Sequence, residues 1–328
     1  MELIIRHQFR DLQNYYVTTF FQNLYEAIKL KFPQHSFTVL NDPSYENMGY
    51  GSIYSCMNFS IINPATDKYI LISFFDNWKY HFMKHLGWNP NKMVQFFYPG
   101  GFNYIDYFNF KFKEQKNPDI ECPSTIDSIY QSFFYGPYES GSLDDIDTIF
   151  KSRNIHTSIP TLYFRGYVWD FRKQMIEHIK DKSILILDKN IDNNNLNYID
   201  YLKDLSTSRA ALSLPGGTEI CNRDIECFAV GVPVIRPYLD ISYPEPLISN
   251  YHYINCYIDC KYWDGHPSYL CYSDFAKSLE YYWNQVKENT EYLNFISSNA
   301  RKWFVKNCIL KKNIKYILTQ IDLGSLYG

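Results

Sequence analysis

Apolar and polar positions alternate along this chain in a pattern that sharpens from the first half to the second. Residues 3–5 form a short apolar run of strand type, and Leu12, Tyr16, Phe20, Leu24 and Ile28 recur every four residues. That period puts the five on one stripe of a helix ending before Pro33. Residues 37–40 predict a second strand, leading into the turn Asn41-Asp42-Pro43. Residues 53–62 and 69–75 predict strands around a turn at 63–67, and 93–98 another before Pro99-Gly100-Gly101. Residues 103–150 are rich in Tyr and Phe and read as loop.

From residue 159 the periods alternate regularly. Strands are predicted over 161–164 (ended by Arg165-Gly166), 183–187, 210–214 and 234–235, with helices over 169–180, 198–206 and 219–230. Pro215-Gly216-Gly217-Thr218 is a tight loop, and Gly231 closes the last of these helices. The final fifty residues predict helices, with Phe275, Leu279 and Tyr282 on one face and Tyr292, Phe295 and Ile296 on another. Strands alternating with helices imply a parallel doubly wound sheet, because parallel neighbours need helical crossovers. Such sheets bind ligands beyond the carboxyl ends of their strands. That points to Arg165-Gly166, Asp188 and the loop at 215–218. The expected fold class is therefore α/β, with two Rossmann-like domains facing a cleft. Residues 1–150 form the first and 158–328 the second, which ends in the terminal helices. Asp144-Asp145-Ile146-Asp147 and Lys151-Ser152-Arg153-Asn154 suit an exposed linker between them.

Composition narrows the function classes. The 328 residues carry a net charge of −3, with no basic excess to hold nucleic acid or an anionic membrane. The N-terminus lacks the apolar core of a signal peptide, and no apolar run approaches the roughly 20 residues that span a bilayer. A cytoplasmic protein without a transmembrane segment is expected. The 8 cysteines contain no Cys-x-x-Cys pair and read as free thiols. The 19% aromatic content accompanies abundant Ile, Asn and Lys, which an AT-rich coding sequence explains without a carbohydrate-binding role.

The most informative segment runs over 212–237. A buried strand enters Gly216-Gly217-Thr218 and then a helix. The glycines let backbone approach a ligand, and the helix start presents unpaired N–H groups with partial positive charge. This is a cradle for a diphosphate. Arg223 and Glu226 lie three apart on one helical face, opposite Cys221, Ile225, Phe228 and Ala229. An arginine there can fork onto phosphate, and a carboxylate one turn on can accept hydrogen bonds from ribose hydroxyls. The same pair could equally form a solvated surface ion pair.

The full string from Arg223 to Ile235, Arg-x-x-Glu-x-x-x-x-Gly-x-Pro-Val-Ile, resembles the donor-binding motif of GT-B glycosyltransferases, most closely the exostosin-like group. Phe164-Arg165-Gly166, Arg172 and the strand at 184–187 follow the order seen in that family. The aromatic, Asn-rich style is also similar to glycosyltransferases of giant DNA viruses. The resemblance covers about 160 to 240. It implies a metal-independent enzyme that moves a sugar from a nucleotide-sugar to a glycan or other acceptor hydroxyl. Arg223 would contact the diphosphate and Glu226 the ribose, with Arg172 a second cation near phosphate or base. Arg165, Gly166, Gly216, Gly217, Thr218 and Asn222 would line the donor site, and the first domain would take the acceptor. One departure is that the acidic residue usual two or three places before the arginine is missing, since Glu219 lies four before it.

Chemistry on this scaffold needs the departing diphosphate stabilised by cations and helix dipoles, a role that falls to Arg223. No metal or cofactor is expected beyond the nucleotide-sugar co-substrate, because Asp145-Ile146-Asp147 falls in the expected linker and not at a strand end. An inverting reaction would need a general base, for which His7, Asp76 and Glu46 are candidates; a retaining one would need none. Gly49-Tyr50-Gly51 and Gly100-Gly101 read as turns. Two further readings remain open: a nucleotide-sugar epimerase or hydrolase, and a non-catalytic carbohydrate-binding protein.

Overall fold

The computed structural model describes residues 2–8, 15–41, 58–73, 92–99, 129–133, 142–168, 170–189, 196–215, 220–239, 245–257, 261–263, 266–268 and 271–327. The chain forms two compact units, Met1–Phe134 with Leu310–Gly328, and Tyr135–Ile309. Their boundary precedes the linker expected from sequence, and the final helix belongs with the N-terminal residues.

In the first unit, β1 (Glu2–Gln8), α1 (Tyr15–Lys31), β2 (Ser36–Asn41), β3 (Asn58–Ile62), β4 (Tyr69–Ser73), β5 (Met93–Pro99) and β6 (Ile129–Phe133) build a sheet ordered β2-β1-β3-β4-β5-β6. Of the predicted helical stripe, Phe20, Leu24 and Ile28 are fully buried; Leu12 and the side chain of Tyr16 lie outside the described residues. The sheet is mixed, because β3 runs antiparallel to both β1 and β4. The cause is local. Asn63 N donates to Lys68 O at 2.9 Å and Asp67 takes a left-handed φ of 58°, closing a hairpin too short for a parallel crossover. The strand at 129–133 lies within the stretch that sequence read as loop.

The C-terminal residues are fastened to this unit by hydrogen bonds. In α8 (Leu310–Gln320), Ile314 and Ile317 are buried. Gln95 donates to Gln320 O at 2.9 Å and accepts from Asp322 N at 2.8 Å, while Asn63 Nδ2 donates to Leu326 O at 3.0 Å. Buried amides of this kind need backbone partners, and the returning chain end supplies them.

The second unit opens with α2 (Ser142–Ser152), which replaces the expected linker. Its Ile146 and Ile149 are buried, and Asp147 pairs with Arg301. There follow β7 (Ile159–Gly166), α3 (Asp170–Ile176), β8 (Ile184–Asp188), α4 (Tyr198–Thr207), β9 (Ser208–Leu212), α5 (Asn222–Val230), β10 (Val234–Pro237) and β11 (Ile254–Tyr257). A small antiparallel pair, β12 (Lys261–Trp263) and β13 (His266–Ser268), precedes α6 (Tyr272–Val286) and α7 (Thr290–Asn307). The main sheet is parallel throughout, in the order β8-β7-β9-β10-β11. Side chains alternate across it as the strand period demands. Leu162 and Phe164 of β7 join Met175, Phe275, Leu279 and Trp283 in a core beneath α3 and α6. Tyr163 and Arg165, on the opposite side, meet Asp204 of α4.

Strand order carries the functional consequence. From β7 the chain steps outward to β8, then returns to lay β9 on the other flank of β7. Connections therefore diverge between β7 and β9, leaving a crevice at their carboxyl ends, the place where doubly wound sheets bind ligands.

Gly231 ends α5 with φ 72° and ψ 33°, and a Cβ there would lie 2.6 Å from the Phe150 ring. Gly231→Ala should lose about 1–2 kcal/mol to left-handed strain, with a further loss as Phe150 shifts. Urea unfolding of the variant with an unchanged midpoint would refute this account.

Candidate functional site

The carboxyl end of β7 meets the start of α5. The helix begins at Asn222, three residues later than the apolar pattern predicts, with Cys221 as its cap. Asp224 turns back to accept from Cys221 N at 2.7 Å, closing a capping box that occupies one N–H of the first turn. The same carboxylate lies 2.7 Å from Arg236 Nη1 of β10, and both side chains are 0% exposed. A charge buried this deeply persists only when paired, so the helix start is pinned to the sheet by an ion pair shut off from solvent.

Arg223 follows from that anchoring. Its guanidinium is buried, stacks over the Phe164 ring at 4.2 Å, and donates through Nη2 to Arg165 O. Gly166 permits the approach, since a methyl there would overlap Nη2. Arg223 Nε and Nη1 are buried without a hydrogen-bond partner among the described residues. A guanidinium with unused donors at a helix N-terminus has the chemistry to hold an anion.

Arg172 reaches the same end of the sheet with its donors turned to backbone. Its Nε donates to Pro215 O at 2.7 Å, Nη1 to Tyr167 O at 3.0 Å, and Nη2 to Leu214 O at 3.1 Å and Cys221 Sγ at 3.5 Å. Burial lowers its pKa, an effect partly offset by Cys221. The arginine thus clamps the backbone just beyond the ends of β7 and β9. Arg165 likewise turns its guanidinium to Asp204, 3.6 Å away, and offers Arg223 its carbonyl.

Glu226, one turn beyond Arg223, receives the Tyr201 hydroxyl at 3.0 Å. The Tyr198 hydroxyl is buried without a hydrogen-bond partner among the described residues, and burial and the charge of Glu226 push its pKa up. Burial raises the Glu226 pKa, opposed by the charge of Arg223 and by the Tyr201 hydrogen bond. Tyr201 is pushed well up by burial and by the carboxylate. Lys189, just past β8, lies 5.6 Å from the Tyr201 ring centroid and 6.0 Å from that of Tyr167. Asp188 accepts from Val168 N at 3.1 Å and holds the turn after β7.

Of the residues expected from sequence, Arg165, Gly166, Arg172, Arg223 and Glu226 are brought to this one end of the sheet, and Asn222 opens α5. Gly216, Gly217, Thr218, Asp76 and Glu46 lie outside the described residues, as do the turns at 49–51 and 100–101. His7 sits in β1 opposite Asn41 and Phe59; its side chain is outside the described set. Sequence reading missed Tyr198, Tyr201, Lys189 and the Asp224–Arg236 pair. A signal for the last was present: an arginine in the apolar strand Val234-Ile235-Arg236 can be buried only with a partner. Among the described residues, no group of three His, Cys, Asp or Glu is gathered as for a metal ion, and no helix is long and apolar enough to cross a membrane.

No protein-family model matches the chain, and no curated protein does. Among solved structures, a glycosyltransferase from Rickettsia africae ESF-5 is similar with a TM-score of 0.41 and 13% identity, over 74% of this chain. The match covers 66% of that protein, just under two thirds of its length. This similarity is too distant to establish a shared fold or activity.

Two outcomes follow from the geometry. Asp224→Ala should destabilise the protein by about 3–5 kcal/mol, because it strands Arg236 in the core; chemical denaturation measures this, and a loss below about 1 kcal/mol would contradict it. Glu226 binds its proton more tightly folded than unfolded. Its stabilising contribution is therefore complete below the ordinary carboxylate value of about 4.3 and is lost as pH rises through the raised value. The melting temperature of Glu226→Gln should accordingly gain on that of the parent across that rise. A difference independent of pH would be inconsistent with the buried carboxyl.

Proposed function

We propose that this crevice binds the diphosphate and ribose of a nucleotide-sugar, and that the protein is a glycosyltransferase acting without an obligatory metal. The observation that carries the binding site is Arg223: a buried guanidinium with two unused donor nitrogens, at the N-terminus of α5 and at the switch point of a parallel sheet. The likeness of the Arg223–Ile235 string to GT-B donor motifs supports the step from nucleotide binding to glycosyl transfer. In this reading Arg223 and the first N–H groups of α5 meet the diphosphate, and Glu226 takes the ribose. Arg172 acts as a positioning residue, fixing the backbone beyond β7 and β9 through the carbonyls it holds.

Mechanistically, the bond from the anomeric carbon to the diphosphate oxygen breaks as negative charge grows on the leaving group. A fixed cation that needs no reorganisation lowers the barrier most when buried, where the effective dielectric is low. Losing it should cost roughly 3 kcal/mol, about two orders of magnitude in rate.

A thermal-shift scan with UDP, GDP and their sugars tests the reading directly. A nucleotide at about 100 times its Kd should stabilise the protein by about 2.7 kcal/mol. Arg223→Ala should abolish the shift and nearly abolish sugar transfer. Arg223→Lys, which keeps the charge but loses the planar fork, should bind weakly and show that loss of fold is not the cause. Full transfer activity in Arg223→Ala, or no stabilisation of the parent by any of these nucleotides, would overturn the assignment.

A further inference from the structure

Residues 245–253 lead into β11 and are held against α7 by contacts along their length. Trp303 Nε1 donates to Glu245 O at 3.0 Å. The Glu245 carboxylate pairs with Lys306 Nζ at 2.6 Å and accepts from Asn307 Nδ2 at 3.3 Å. Further on, the Tyr251 ring meets Phe295 edge-on, with centroids 5.5 Å apart. His252 ties the segment together. It is buried, packs edge-on against Tyr251 at 4.7 Å, and its ring lies 6.4 Å from that of Trp303. Its Nδ1 accepts from Ile248 N at 2.8 Å, while its own backbone N–H donates to Ile248 O at 2.9 Å. A backbone N–H can only donate, so Nδ1 must present its lone pair and the imidazole must be neutral.

Protonation would place an N–H where the Ile248 N–H already points and would leave a charge buried under the segment, so the closed arrangement excludes the imidazolium. We infer that His252 is an acid-sensitive latch: neutral, it holds residues 245–252 on α7, and protonated, it lets them go. Glu245, on the segment itself, favours the protonated ring, and Lys306 of α7 pairs with that carboxylate. From β11's side, Tyr253 turns its hydroxyl to Leu239 N at 3.2 Å and adds no charge. Burial outweighs the carboxylate and holds the imidazole below its ordinary value of about 6.5. The ring binds its proton less readily closed than open. Its contribution is therefore complete above about pH 6.5 and is lost as pH falls through the lowered value. One ring carries the consequence toward the crevice. Trp303 also meets Phe228 of α5 edge-on at 5.9 Å, so release of the segment withdraws support from behind the helix that bears Arg223 and Glu226. The inference stands whether or not that crevice binds a nucleotide.

Amide hydrogen exchange of the full chain across the histidine range tests this, read as protection factors so that the intrinsic pH dependence of exchange drops out. Protection of the Ile248 amide should be level above about pH 6.5 and fall by up to about tenfold per pH unit below it, the limit for one proton. The Phe228 amide should follow the same trend. The Ala211 amide, which donates to Pro233 O in the central sheet at 2.8 Å, should keep its protection throughout. His252→Asn offers Ile248 N an amide oxygen that does not titrate, so its Ile248 protection should not respond to acid. Constant Ile248 protection in the parent would overturn the latch, as would an acid loss of the same size in His252→Asn. An equal fall at Ala211 would also overturn it, since that marks unfolding of the whole sheet. A Phe228 amide that stays protected while Ile248 opens would overturn the coupling to α5. The parent profile decides the matter by itself should the variant fail to fold.

Discussion

The ion pair between Asp224 and Arg236 decides where everything else in the crevice sits. Asp224 caps the first turn of α5 through Cys221 N and simultaneously neutralises an arginine projecting from β10. Helix register is thereby tied to strand register. A slip of one residue along α5 would rotate it by about 100° and leave two charges unpaired in the core. With Asp224 held, Arg223 must stand over Phe164 at the end of β7 and Glu226 must face α4. Hydrophobic packing alone would tolerate small rotations of this helix, whereas a buried charge pair does not.

Around that anchor the arginines divide their work by which donors remain unused. Arg172 spends its fork on three carbonyls and a thiol, so its charge is screened by dipoles and its role is to hold backbone. Arg236 neutralises Asp224. Arg223 has two nitrogens with no partner among the described residues, and it alone of the three combines burial, a helix N-terminus and unused capacity. Proximity to an expected site does not make a cation a ligand contact; the state of its hydrogen bonds does.

Chain topology explains why the crevice draws on residues far apart in sequence. Arg165 and Gly166 come from β7, Leu214 and Pro215 from the end of β9, and Tyr198 and Tyr201 from the helix between β8 and β9. The return of the chain across β7 is what brings α4 beside α5. The first unit follows a different rule at one strand, where the short turn at 63–68 reverses β3 and makes its sheet mixed.

Much of this was legible in the sequence. Strong periods and glycine stops located α1 and the alternating elements over 159–237, because those patterns report local backbone preference and one-sided burial. The order of Gly, Arg, Glu and Pro-Val-Ile pointed to the end of the sheet where Arg223 and Glu226 lie. Other features depend on distant partners and leave no local period. Helix α2 looked like a linker because its acidic face is solvated, and only Ile146 and Ile149 reveal the packed side. Strand β6 lay hidden in an aromatic stretch. Arg172 matched a ligand-binding role by position, yet its donors were claimed by carbonyls about forty residues on. Glu226 could be placed on a helical face, but the phenols that surround it come from another helix. Local sequence determined which groups face the crevice from α5; the tertiary structure decided which of them are already satisfied, and hence which remain for a ligand.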